Sequence, residues 1–273
     1  MIRCSVTISL VEEARGGPFV FWHDLAAACE RAAALGFHGV EVFAPDASAV
    51  DAAALAGMLE RHGLALAAVG TGGGWVRRKL TLTSADPSVR AQAVGFARDI
   101  VTLGAEFGAP AIIGSLQGRS GGDVTVEQAR AWLREGLDEL AGHASSLGVP
   151  LLFEPLNRYE GDLASTLADG VQLVESLSAG GVKLLADLFH MNIEEADSAA
   201  ALRAAAGHVG HVHFADSNRR AAGLGQTDFK PLVAALQESG YSGYLSAEVF
   251  PLPDPEAAAA QTMTAYRALC GGS

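Results

Sequence analysis

The sequence predicts an α/β chain folded as a closed (β/α)8 barrel of the TIM type, in a single domain spanning residues 1–273. Three observations carry that prediction. One unit recurs along the chain: an Ala/Leu-rich helical stretch, a glycine able to stop the helix in the left-handed conformation, then a short apolar strand. Strands such as "AIIG" and "VPLLF" are apolar throughout instead of alternating, as expected of parallel strands covered on both faces. No linker, charge block or Pro/Ser-rich tract interrupts the pattern, so no domain boundary is visible. An open doubly wound sheet is the rival arrangement, but no G-x-G-x-x-G follows the first strand.

The elements follow in order. The opening "IRCSVTIS" is the first strand. The helix after it places Leu25, Ala28, Cys29, Ala32 and Leu35 on one apolar face, with Asp24 in or near the first turn. Further strands close the units "RAAALGFHGVEVF", "LERHGLALAAVG", "AEFGAPAIIGS", "ASSLGVPLLFEP" and "ESLSAGGVKLLAD". The run "HVGHVHFAD" supplies the seventh and "LQESGYSGYLSAEVF" the eighth. Eight such units in about 250 residues are what a closed barrel takes. The glycine-rich "GTGGGWV" and "GRSGGD", after the third and fourth strands, lack phosphate-loop spacing and read as mobile functional loops.

Composition narrows the function. A chain of 273 residues with 49% hydrophobic content can bury a large core. Its formal charge of −12 argues against nucleic acid or an anionic membrane as partner, because both demand a basic footprint. A small neutral or metal-bridged ligand fits better. Cys4, Cys29 and Cys270 are far apart and odd in number, suggesting core thiols in a reducing compartment. "MIRCSVTISL" lacks the apolar stretch of a signal peptide, so the expected location is cytoplasmic.

In a barrel, side chains at the C-terminal strand ends converge on one mouth. The fifth strand stops at Glu154, the sixth at Asp187 and the eighth at Glu248, while the seventh carries His211 and His213. Three carboxylates brought together repel one another unless a cation sits between them. One divalent metal resolves the conflict, and an oxygen-rich set with one imidazole suits Mn2+, Mg2+ or Co2+ better than Zn2+, which is not excluded. Residues two apart on a strand share a face. His213, nearer the strand end, should reach the mouth, with His211 one layer deeper.

At these residues the chain resembles the xylose-isomerase-like barrel superfamily, and within it D-tagatose 3-epimerase and related ketose or keto-acid epimerases. The matching pieces are "FEPLNRYE", "ADLFHMNIEE", "HVHFADSNR", "GLGQTDF" and "SAEVF", in order through the second half. In the first half, "VGTGGGWVRRKLTLTSADPSVR" and "AIIGSLQGR" resemble members that epimerise 5-keto-L-gluconate. The resemblance implies that Glu154, Asp187, His213 and Glu248 bind the metal, Mn2+ foremost. It implies further that Glu160, His190 and Arg219 contact a sugar or sugar-acid substrate, and that the protein is a homo-oligomer, dimer or tetramer. Ala222-Gly223 departs from the family's frequent Pro-Gly, which puts the shape of that loop in question.

The chemistry has its own logic. A cation chelating a ketose carbonyl and the neighbouring hydroxyl stabilises the enediolate left when the intervening carbon loses its proton. Epimerisation then needs an acid/base group on each face, and Glu154 and Glu248 are the candidates. Glu194 and Glu195 read as an ordinary acidic helix start. Arg77, Arg78, Lys79 or Arg119 could pair with a substrate carboxylate, favouring a keto-uronate or keto-aldonate, and Trp75 could stack on the sugar. The rivals are aldose–ketose isomerisation of the hydroxypyruvate or sugar type and dehydration of a keto-inositol. Apurinic endonucleases share the barrel, but their additional histidines are missing after the third and fourth strands.

Overall fold

The computed structural model describes residues 1–271, with eight barrel strands at the expected places. They are β1 (Arg3–Ser9), β2 (Gly39–Phe43), β3 (Ala65–Gly70), β4 (Ala111–Ile113), β5 (Leu151–Phe153), β6 (Val182–Asp187), β7 (Val209–His213) and β8 (Tyr244–Ala247). Each pairs in parallel with the next, and β8 returns to β1 in the register Arg3↔Tyr244 to Val6↔Ala247, closing the barrel. Phe21–Trp22 forms a short parallel strand beside Ile8 and Ser9, which builds up the rim at the C-terminal end of β1.

Among the described residues, ten α-helices surround or cap these strands: α1 (Leu25–Leu35), α2 (Ala52–His62), α3 (Gly72–Arg78), α4 (Pro87–Ala105), α5 (Val126–Ser146), α6 (Leu167–Glu175), α7 (Leu188–Glu194), α8 (Ser198–Ala204), α9 (Phe229–Glu238) and α10 (Pro255–Cys270). Asp24 is the N-cap of α1 and accepts the Ala27 N–H; Asp51, Asp197 and Asp254 cap α2, α8 and α10 in the same way. Part of the acidic surplus therefore faces the positive ends of helices. Gly36 and Gly63 end α1 and α2 with φ of 89° and 64°, the left-handed stop anticipated from the repeat.

Two expectations need correction. "GTGGGWV" is not a mobile loop, because Gly72 to Arg78 form α3 with its three glycines buried. A Cβ at Gly73 would collide with the Ala44 carbonyl oxygen and one at Gly72 with the Phe43 ring, so the glycines let this helix lie directly against the end of β2. Glu194 and Glu195 do not start a helix either. Glu194 is the last residue of α7 and Glu195 its C-cap. Each works across a gap: Glu194 binds the Arg158 guanidinium and backbone N–H, and Glu195 accepts from the Leu167 N–H.

The main core lies between strands and helices, where Val40, Val42, Leu151 and Leu184 meet the buried faces of the helices. Inside the barrel, Ala68, Ile112, Leu152 and Leu185 form a separate small apolar layer. Leu152 and Leu185 sit two residues below Glu154 and Asp187 and so point the same way, making the apolar part of the floor under the polar mouth, beside the buried Glu41–His211 pair. Among the described residues no helix is long and apolar enough to cross a membrane. Cys4, Cys29 and Cys270 are free thiols.

Candidate active site

The four strand-end residues do converge. His213 Nδ1 stands 3.2 Å from Asp187 Oδ2, 3.4 Å from Glu248 Oε2 and 3.5 Å from Glu154 Oε1. Ligand atoms of Glu154, Asp187 and His213 all lie within 4.8 Å of one another, and all three residues are buried. A donor set of one imidazole and three carboxylates, crowded above an apolar floor, fits a single hard divalent cation.

Local structure holds each member. Asp187 ends β6 and caps α7, accepting from the Phe189 and His190 N–H groups through Oδ1 while Oδ2 faces the cluster. Gln117 donates to the Glu154 carbonyl at 2.9 Å and fixes the chain where β5 ends. His213 is held from behind by Glu41, whose Oε1 is 3.2 Å from Nε2. Glu41 Oε2 takes the deeper His211 Nε2 at 2.8 Å.

Burial and the neighbouring charges set the electrostatics. Burial by itself would raise the Asp187 carboxyl, but Arg219, aided by His213, outweighs it and holds the group well below the usual carboxylate range. Glu41 is low for a similar reason, burial being overcome by His213 and His211. Glu248 goes the other way: burial, with Glu154 and Asp187 adding to it, lifts its carboxyl to about 7 against the pull of His213 and Arg219. Burial would lower His213, yet Glu248, Glu41, Asp187 and Glu154 raise it well above an ordinary imidazole.

The three expected substrate contacts surround this cluster. The Arg219 guanidinium reaches Asp187 Oδ2 at 3.2 Å and pairs closely with Glu248. Its backbone is left-handed, with φ of 57°, in a loop gathered by Asp216, whose buried carboxylate accepts the N–H groups of Ser217, Gly223, Gly225 and Thr227. His190 Nε2 points at the cluster, 3.7 Å from Glu154 Oε1 and 3.8 Å from Asp187 Oδ2. Glu160 lies at the exposed edge, its Oε1 bonded to Asn157 Nδ2 at 2.9 Å.

A cavity of about 580 Å3 opens over these groups, with an outer wall of Phe19, Phe43, Trp75, Val76, Leu156 and Phe250. Trp75 is thus placed for stacking. The basic residues are not. Arg77 pairs with Glu13 at 3.1 Å and Asp46 at 3.5 Å, and Arg78 with Asp46 at 3.4 Å. The Lys79 ammonium lies over the Trp75 ring, 4.8 Å from its centre. None of these, nor Arg119, lines the cavity, so the expected partner for a substrate carboxylate is missing from its described walls. Sequence reasoning passes over Glu41, Asn157 and Asp216. Glu41 alone carries a local signal, as a carboxylate in the middle of an apolar strand.

Comparison with known proteins matches this arrangement to a family. The profile described as Xylose isomerase-like TIM barrel covers residues 29–269. The chain belongs to that family. It is 34% identical over 218 residues to the L-ribulose 3-epimerase of Mesorhizobium japonicum, which covers 79% of this chain and 72% of the relative. It is 32% identical over 244 residues to the D-psicose 3-epimerase of Agrobacterium fabrum, covering 87% and 80%. A solved L-ribulose 3-epimerase superposes with a TM-score of 0.82 at 28% identity, over 98% of this chain and 94% of that one. With kinship at this level, the chain is an enzyme of the carbohydrate epimerase class, as the motifs led us to expect.

Proposed function

We propose that the enzyme is a divalent-metal-dependent ketose 3-epimerase acting on neutral ketoses. Glu154, Asp187, His213 and Glu248 hold the cation, with Mn2+ foremost and Mg2+ or Co2+ as alternatives. When bound, the cation supplies the Lewis acidity that stabilises an enediolate. The observation that carries the reading is the placement of Glu154 and Glu248. They rise from β5 and β8, three strands apart in the ring, and their carboxylates approach His213 Nδ1 from separate strands.

On this reading one glutamate removes the proton from the carbon beside the ketone, and the other returns a proton to the opposite face. In the reverse direction they exchange roles. Arg219 and His190 direct N–H groups to the substrate oxygens, and Glu160 accepts from a hydroxyl. The apolar outer wall with Trp75 covers the sugar's carbon face and keeps water from the intermediate.

Neutral sugars are favoured because Arg219 is already paired with two carboxylates and no free cation lines the described cavity walls. We place the enzyme in the cytoplasm, as a homo-oligomer of the dimer or tetramer kind that the resemblance implies. The test is conversion of D-psicose, L-ribulose and 5-keto-gluconate by the Mn2+-loaded protein, resolved by chromatography. Turnover of either neutral ketose to its 3-epimer, abolished by EDTA, supports the reading. Preferential turnover of the keto acid refutes the neutral-sugar assignment.

A further inference from the structure

The geometry points to Asn157 as a positioning residue that fixes the tautomer of the His190 ring, with the proton on Nε2 and the Nδ1 lone pair as acceptor. The argument is an accounting of hydrogen bonds around one buried amide. Asn157 Oδ1 accepts the Tyr159 backbone N–H at 2.9 Å. Its Nδ2 donates to Glu160 Oε1 at 2.9 Å and lies 2.6 Å from His190 Nδ1. An amide nitrogen has two hydrogens and no lone pair to offer, so both of its partners must be acceptors.

Turning the amide over does not help. A flipped Asn157 would set its NH2 against the Tyr159 N–H and its oxygen against the Glu160 carboxylate, two mismatches made to relieve none. The orientation is therefore fixed by Tyr159 and Glu160, independently of His190, and His190 Nδ1 is left as the acceptor. The ring proton must reside on Nε2. There it faces Glu154 Oε1 at 3.7 Å and Asp187 Oδ2 at 3.8 Å, both acceptors. Arg219 Nη1, at 3.5 Å from Nε2, is a competing donor, but it stands 0.9 Å farther from its ring nitrogen than Asn157 Nδ2 does, 3.5 against 2.6 Å.

The consequence concerns the division of labour. A His190 held in this form has no lone pair facing the cavity, so it cannot remove a substrate proton. It can only donate one hydrogen bond to a substrate oxygen. Proton transfer is thereby left to Glu154 and Glu248. Glu160 and His190, bound to the same amide, are positioned together.

The inference rests on the epimerase reading only for its kinetic arm, since the tautomer is a property of the protein without substrate. The test is long-range nitrogen NMR of 15N-histidine-labelled protein, metal-free and loaded with diamagnetic Mg2+, with His190 assigned from a His190→Gln variant. The expected spectrum shows a bare Nδ1 and a protonated Nε2. In Asn157→Asp the carboxylate can only accept, so the His190 proton should appear on Nδ1. In that variant kcat should fall on the order of 100-fold, as when one aimed donor is lost, while Mn2+ affinity is retained. A protonated Nδ1 in the unaltered protein overturns the inference, and so does an unchanged His190 spectrum in Asn157→Asp. The spectrum of the unaltered protein decides the matter even if the variant fails to fold. A protein that shows the expected tautomer but epimerises no ketose would leave Asn157's role standing and remove the proposed reaction.

Discussion

Glu41 Oε1 lies 3.2 Å from His213 Nε2, on the side of the ring opposite the three carboxylates. The imidazole is thus held between a single carboxylate on β2 and the cluster at the ends of β5, β6 and β8. By accepting the Nε2 proton, Glu41 would leave the Nδ1 lone pair to a bound cation, and His211 in turn steadies Glu41 through its other oxygen. Outer partners of this kind orient a ligating histidine and raise its basicity.

Glu41→Gln should therefore weaken Mn2+ binding by about 10- to 100-fold, as loss of such an outer partner does. Titration calorimetry on the metal-free protein measures it. An unchanged affinity would mean that the pair serves packing alone.

The raised carboxyl of Glu248 makes metal binding depend on pH. Below about 7 this group holds a proton that must leave before it can ligate, and His213, raised well above an ordinary imidazole, must shed one as well, so affinity should fall as the pH drops through 7 and keep rising above it. Calorimetry at about pH 6 in buffers of different ionisation heat should show proton release on binding. Affinity independent of pH between about 5.5 and 7.5 would rule out Glu248 as a ligand titrating in this range.

Two glycines should respond oppositely to alanine. At Gly57 in α2 an added Cβ meets nothing within 4 Å, so Gly57→Ala should stabilise the fold by about 0.4–1 kcal/mol. At Gly73 the Cβ would strike the Ala44 carbonyl oxygen, and Gly73→Ala should cost about 1–3 kcal/mol. Thermal unfolding of the two variants compares them directly.

The basic loop residues test the charge preference of the cavity. Arg78→Ala and Arg119→Ala should leave the ratio of kcat/KM for neutral over acidic ketoses unchanged, because neither side chain lines the cavity. Trp75→Ala, which removes part of the cavity wall, should raise KM for the same substrates. A changed charge preference in Arg119→Ala would return a keto acid to consideration.

How much of this is legible in the chain depends on how local each signal is. The barrel is legible because its helix, glycine and strand repeat is written within a dozen residues each time. Glu154, Asp187, His213 and Glu248 stand out because each interrupts or ends an apolar run. Glu41 interrupts one as well, in "GVEVF", but its meaning depends on His211 and His213, 170 and 172 residues away, and nothing local announces that pairing. Asn157 lies inside a motif whose charged neighbours draw attention first. The direction of Arg77 and Arg78 depends on Glu13 and Asp46, which only tertiary packing brings within reach. The glycines of α3 look like a loop because their burial under Phe43 and Ala44 is likewise a tertiary fact.

The central claim is that two glutamates exchange a proton with solvent at the carbon beside a ketone. The most direct measurement is NMR of D-psicose and L-ribulose incubated in D2O with Mn2+-loaded enzyme, the metal being stripped before the spectra are recorded. The account predicts deuterium at C3 of the substrate and its 3-epimer, the ketone retained at C2, with all exchange lost on EDTA treatment and no epimer formed by Glu154→Gln or Glu248→Gln. Deuterium accompanying migration of the carbonyl to C1, or epimer formed with no deuterium at C3, would contradict it.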